Sequence, residues 1–255
     1  MKYEEIKAEK ACDLSPHKHL FINPYNGCSM GCPFCYWLLL ENWENRIQIK
    51  TNIAELLEAE LKDWPKGEYI YLGSVCDPYN ELEEKYQLTR KCLEIIKKYE
   101  IPLLITTSAS NSTLLRDVDL LKNMKVIVVV ELARIPLIET MLKGGSHTGI
   151  VNANALAEEG LTVYSTLAPL CPGTIELEPV LERLDKRIPV YVDSIKCEKG
   201  SLLAQRILQW IKDYHPELLE EYSRMIDLQD HRYFDKILEH YKGNQRIKEF
   251  PYELR

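Results

Sequence analysis

Histidine, phenylalanine and long hydrophobic runs are all scarce in this chain of 255 residues. Among its six histidines, only His17-x-His19 approaches ligand spacing. That pair reads as surface rather than as half of a metal site. The apolar runs, such as Val126 to Val130 and Trp37 to Leu40, fall far short of the roughly 20 residues a membrane-spanning helix needs. Basic excess is missing too. The formal net charge is −7, which sets aside broad affinity for nucleic acid or anionic membranes. No internal repeat, low-complexity tract or linker breaks the chain, so one domain over 1–255 is expected, with a core at about 19–215 and a short helical extension at about 216–255. The stretch Met1 to Lys10 alternates acid with base and carries no secretory leader. Eight cysteines without such a leader point to a reducing cytoplasm and no disulfide framework.

What is present is an alternation of short apolar runs with longer amphipathic ones. The expected strands are His19 to Asn23, Glu68 to Gly73, Pro102 to Thr107, Lys125 to Glu131, Leu161 to Ala168 and Ile188 to Asp193. The middle ones are apolar almost throughout, as strands buried on both faces should be. Helices are expected over Asn52 to Lys62, Leu82 to Tyr99, Ser112 to Asn123, Gly149 to Glu159, Glu176 to Lys186, Ser201 to Tyr214 and Glu217 to Tyr241, the last broken near Asp227. Thr51-Asn52 is a candidate cap for the first. Six strands alternating with helices imply parallel βα units.

Parallel units of this kind carry their chemistry at the C-terminal ends of the strands. The segments there are polar or turn-rich: the run after Asn23, Ser74-Val75-Cys76-Asp77-Pro78-Tyr79, Thr107-Ser108, Glu131-Leu132-Ala133-Arg134, Pro169-Leu170-Cys171-Pro172-Gly173 and Asp193-Ser194-Ile195-Lys196. The first of them holds Cys28, Cys32 and Cys35 in eight residues. Three thiolates on one loop suit three irons of a [4Fe–4S] cubane and leave the fourth without a protein ligand, open to a cofactor or substrate. Gly27 and Gly31 would let the backbone wrap the cubane closely. A structural zinc site would need a closer pairing of doublets than this spacing offers.

The spacing Cys-x3-Cys-x2-Cys, with Phe34 before the last cysteine, resembles the signature of the radical S-adenosylmethionine (SAM) superfamily. Further stretches are similar to the branch that contains spore photoproduct lyase: Asn23-Pro24-Tyr25-Asn26-Gly27-Cys28, Gly73-x3-Asp77-Pro78-Tyr79, Glu84-Lys85-Tyr86-Gln87-Leu88-Thr89-Arg90, Leu115-Arg116-Asp117-x-Asp119-Leu120-Leu121 and Ala168-Pro169-x2-Pro172-Gly173. The resemblance covers residues 19 to 215 and implies a partial TIM-like (β/α)6 barrel of the α/β class. It implies a [4Fe–4S] cluster on Cys28, Cys32 and Cys35, and S-adenosylmethionine on the open iron. It also implies a 5′-deoxyadenosyl radical that takes hydrogen from a substrate, and a reductant such as flavodoxin or ferredoxin. A Glu-Pro-Arg stretch of related proteins is replaced here by Glu139-Thr140-Met141-Leu142-Lys143. The cysteine hydrogen donor of the lyase aligns with Ser74, two positions before Cys76.

From this resemblance Phe34 or Tyr36 would face the adenine. Asp77 would meet the amino group of the cofactor or merely make a turn. Ser108 and Glu131 would contact its carboxylate and ribose, and Arg134 or Lys143 would pair with the carboxylate. Cys76 is the candidate hydrogen donor, with Cys171 behind it; Asp193 and Lys196 would line the substrate pocket or pair with each other. A small molecule or short peptide is the favoured substrate. Repair of DNA, activation of a glycyl-radical partner, or metal binding without catalysis are the alternatives.

Overall fold

The computed structural model of the chain describes residues 1–14, 20–39, 43, 45–65, 67–133 and 148–250. Its strands are β1 (Lys2–Ile6), β2 (Cys12–Leu14), β3 (Leu20–Ile22), β4 (Tyr25–Asn26), β5 (Arg46–Lys50), β6 (Ile70–Leu72), β7 (Leu103–Thr107), β8 (Val126–Glu131), β9 (Thr162–Leu167), β10 (Val190–Val192) and β11 (Ile247–Glu249). Eight of them form one sheet in the order β11-β10-β9-β8-β7-β6-β3-β2, and β1-β5-β4 form a second, small sheet. From β3 to β11 every neighbouring pair is parallel, and β2 joins β3 antiparallel. The six expected strands are β3 and β6 to β10, in sequential order across the sheet. This is the expected partial barrel of six βα units, extended by one strand at either edge.

The strands are not buried on both faces as their apolar runs suggested. In β8, Val126, Val128 and Val130 are buried, whereas Ile127, Val129 and Glu131 keep part of their surface. The same alternation runs through β7 and β6. The buried set lies under the helices: a methyl group on Gly149, in helix Thr148–Glu158, would come within 3.8 Å of Val130 Cγ1. The other set lines the concave side. An open barrel of six units leaves that side unfilled, where a closed one would pack it.

Two long helices expected from the pattern are interrupted. Leu82 to Tyr99 divides into Glu83–Tyr86 and Leu88–Lys98 at Gln87, which is left-handed at φ 51°. The Glu83 carboxylate causes the break by accepting the Thr89 and Arg90 amides, capping the second helix from the first residue of the one before it. The break in the C-terminal pair falls at Gln229, also left-handed, between Leu219–Leu228 and Arg232–His240. Asn52 does not cap the helix Ile53–Glu60. Its amide instead bonds both ways with the Ala8 backbone, holding the end of β1. The extension after Tyr241 is not wholly helical, because β11 adds to β10. Arg246 anchors it by donating to the carbonyls of Leu181, Leu184 and Asp185, at 3.0–3.2 Å. Among the described residues no helix is long and apolar enough to cross a membrane.

Candidate functional site

The cysteine loop is closed at its base by strand pairing. Tyr25 pairs with Ile49 and Asn26 with Gln48, so the segment that carries the three cysteines leaves β4 and returns in β5 with its two ends clamped together. Gly27 sits where β5 passes: at φ +113° a Cβ there would lie 2.0 Å from the Arg46 carbonyl oxygen. The glycine is thus demanded by β5 rather than by a ligand. Gly31, left-handed at φ +61°, has open space where a Cβ would stand.

Cys32 is buried, and Cys28 and Cys35 are half-buried. The Cys28 sulfur accepts from the Met30 amide at 3.4 Å, and the Cys35 amide donates to the Cys32 carbonyl at 3.0 Å. Amide donation of this kind favours a thiolate. The loop lies between two apolar clusters. Cys28 and Cys35 pack on the main core, and Cys32 joins a smaller cluster with Cys171, Ile195, Ile207, Trp210 and Tyr222. Phe34 packs against the smaller cluster, while Tyr36, at 68% exposure, turns outward. Among the described residues no cysteine is joined in a disulfide. Among the described residues no three His, Cys, Asp or Glu side chains converge on one point as a mononuclear metal site requires.

The segment after β6 stands next to this loop. Gly73, at φ +86°, lies so close to β7 that a Cβ would be 2.4 Å from the Thr106 carbonyl oxygen. Ser74 follows with its hydroxyl buried and without a partner among the described residues. Cys76 is 4% exposed, and its thiol rests on the Tyr25 carbonyl. Burial, with the neighbouring Cys28 and Asp77 adding to it, holds that thiol well above the ordinary cysteine range.

Asp77 uses both oxygens within the protein. One accepts from the Tyr79 amide at 3.0 Å and the Thr107 hydroxyl at 2.7 Å; the other takes the Ser108 amide at 2.9 Å and the Ser108 hydroxyl. Asp77 and Ser108, expected to reach different parts of a cofactor, are bonded to each other and tie the segments after β6 and β7 together. Glu131 closes β8 on the concave side and accepts from the Ala133 amide at 2.8 Å. Burial holds the Tyr71 phenol above its ordinary range, against the Thr106 hydrogen bond, and the Glu131 charge adds to it. Burial likewise pushes the Cys171 thiol up to about 12, with a small contribution from Glu131. Thr166, the cross-strand partner of Glu131, is buried with an unpartnered hydroxyl. Asp193 pairs with Lys196 at 2.9 Å. Arg134, Lys143, His17 and His19 lie outside the described residues.

One cluster escaped the reading of the sequence as a site, although its stretches were noticed. Glu83 and Asp117 are fully buried carboxylates. Glu83 accepts from the Tyr25 phenol at 2.6 Å and Arg116 at 2.9 Å; Asp117 accepts from Arg90 and Arg116, each at 2.8 Å. The network anchors Tyr25, three residues before Cys28, to the helices behind the sheet. Buried charges persist only when paired in this way.

No family model matches the sequence. An uncharacterised protein of Methanocaldococcus jannaschii is 27% identical over 249 residues, covering 92% of this chain and 91% of the relative. An uncharacterised protein of Mycobacterium tuberculosis is 26% identical over 229 residues, covering 80% of this chain and 66% of the relative. Among solved structures, a spore photoproduct lyase variant superposes with a TM-score of 0.63 at 15% identity, covering 97% of this chain and 81% of the lyase. Another form of that enzyme, with bound S-adenosylmethionine and dinucleoside spore photoproduct, gives 0.62 at 15% identity over 96% and 80%. Streptococcus suis SuiB bound to S-adenosylmethionine gives 0.51 at 18% identity, covering 92% of this chain and 49% of SuiB. The chain has the fold of these proteins, in keeping with the partial barrel of parallel units expected from its sequence.

Proposed function

We propose that this chain is a radical S-adenosylmethionine enzyme, with Cys28, Cys32 and Cys35 holding a [4Fe–4S] cluster at the mouth of its six-unit barrel. One observation carries the reading. The three-thiol loop stands at the C-terminal end of the parallel strands, its base bonded to the segment after β6 that holds Ser74 and Cys76, on a fold of which two solved examples are seen with bound S-adenosylmethionine. Held by Cys28, Cys32 and Cys35, such a cluster would supply the electron for reductive cleavage of S-adenosylmethionine and so the radical chemistry that abstracts hydrogen from a substrate.

The protein's own residues have separable tasks. The Met30 amide supports the Cys28 thiolate, and the β4–β5 pairing holds the loop at the rim. Asp77 fixes the Ser108 backbone, so that the ends of β6 and β7 present one surface to the cofactor. The unpartnered hydroxyls of Ser74 and Thr166 are sites where a ligand recovers the cost of a buried, unmade hydrogen bond, about 1–3 kcal/mol each. Cys76 keeps its proton at neutral pH because burial disfavours the thiolate, so it carries the hydrogen that a substrate radical would draw on. We take the substrate to be a small molecule or short peptide. One structural neighbour is seen with a dinucleoside lesion and another with a precursor peptide, but a net charge of −7 disfavours a long polyanion.

Anaerobic reconstitution tests the cluster directly. The wild type is expected to hold about four irons and four sulfides per chain and to absorb in the brown region, and Cys32→Ala to lose both. One zinc per chain, or identical iron content in the variant, would overturn the proposal in favour of a structural metal site.

A further inference from the structure

Across the concave face, register places Glu131 of β8, Thr166 of β9, Tyr191 of β10 and Lys248 of β11 in one row. Residues opposite one another in a row share a face. Glu131 and Tyr191 keep part of their surface, whereas Val130 and Val190, on the other face, are buried. The middle of the row is aromatic. The Tyr164 ring centroid is 5.7 Å from that of Tyr191, and Phe250 stands edge-on 6.4 Å away on the other side. Lys248 Nζ lies 5.7 Å from the Tyr191 centroid.

Three independent features show a wall prepared for a ligand. The rings of Tyr164, Tyr191 and Phe250 are half-exposed, although together they would bury well. Thr166 is 3% exposed and its hydroxyl has no partner among the described residues. Lys248 is exposed and has no carboxylate within ion-pairing distance among the described residues, in a protein with an excess of acid. At about 4.8 Å per strand, Glu131 and Lys248 are about 14 Å apart, too far to neutralise each other. The row therefore has a flat aromatic middle and a positive far end.

We infer that this row is the substrate wall, and that the substrate is a flat aromatic acid, either free or as the C-terminal residue of a short peptide. The inference rests on the radical-enzyme reading above and supplies the substrate class it leaves open. The ring lies against Tyr164 and Tyr191, the carboxylate meets Lys248, and the Thr166 hydroxyl takes the polar edge nearest the cofactor.

Binding by the reconstituted full chain, oxidised and with S-adenosylmethionine but no reductant, tests this by calorimetry. The probes are indole-3-acetate, its neutral alcohol analogue, cyclohexylacetate, and a dipeptide ending in phenylalanine as acid and as amide. The acid is expected to bind about ten-fold tighter than the alcohol and than cyclohexylacetate. Lys248→Gln should erase the acid's advantage while leaving the alcohol's affinity, which also reports that the variant is folded. Tyr191→Leu should weaken both ring ligands. Tighter binding of the dipeptide acid than of indole-3-acetate assigns a peptide terminus; the reverse assigns a free acid. Equal binding of acid and alcohol, no binding at millimolar concentration, or an acid affinity untouched by Lys248→Gln would overturn the inference. Because no turnover is involved, such a failure beside intact S-adenosylmethionine cleavage sinks only the substrate assignment. Loss of cleavage beside intact binding sinks only the enzymatic one.

Discussion

Asp77 illustrates how much one rim carboxylate can hold together. Its carboxylate joins the Tyr79 and Ser108 amides and the Thr107 hydroxyl, so removing it strands several buried donors at once. Asp77→Ala is expected to cost about 3 kcal/mol in urea denaturation and to weaken S-adenosylmethionine binding with it. Cys171 predicts a pH effect. Its folded value is about 12 against an ordinary 9.0, so the folded chain keeps a proton that the unfolded chain gives up. Stability from this group is therefore whole below about pH 9 and declines as pH rises towards 12. Cys171→Ala should make the alkaline fall in stability shallower; an unchanged slope would remove Cys171 from the account. That Asp77, Ser108 and Glu131 stand at or just after strand ends was legible in the sequence. That Asp77 and Ser108 are bonded to each other was not, because it depends on how far Gly73 lets the segment after β6 approach β7.

The decisive element is the β4–β5 pairing that closes the cysteine loop. Gly27 meets the Arg46 carbonyl at a distance no side chain tolerates, whereas Gly31 has room and only a left-handed backbone to satisfy. Gly27→Ala is expected to lose about 3 kcal/mol or more and to fail to assemble a cluster. Gly31→Ala should cost about 1–2 kcal/mol and retain its iron. Iron content and denaturation of the two variants together check this. The six barrel strands could be read from the sequence because their apolar runs are long for their length. β5 has a readable alternation, Arg46-Ile47-Gln48-Ile49-Lys50, but nothing local says that it pairs with Tyr25–Asn26 and Lys2–Ile6. β11 has one apolar residue in three and exists through its parallel pairing with β10 and the clasp of Arg246. The helix break at Gln87 was equally hidden, since a buried carboxylate makes it and the hydrophobic period does not.

For the whole molecule, two apolar clusters meet at the cysteine loop, and the Glu83–Asp117 network pins that loop from behind the sheet. Stretches that looked like marks of a family thus prove to be structural: Thr89-Arg90 and Arg116-Asp117 form the network that holds Tyr25 in place. The rim where the proposed site lies was legible because parallel strands gather their C-terminal ends there. The row of Glu131, Thr166, Tyr191 and Lys248 was not, since only register across four strands aligns it. The central claim is that the three-thiol loop makes a radical from S-adenosylmethionine. It is tested most directly by measuring 5′-deoxyadenosine from anaerobically reconstituted, dithionite-reduced protein supplied with S-adenosylmethionine. The account predicts its formation by the wild type and its absence in the Cys28→Ala, Cys32→Ala and Cys35→Ala variants alike. Equal yields from the wild type and the three variants, or none from a wild type that carries its cluster, would contradict it.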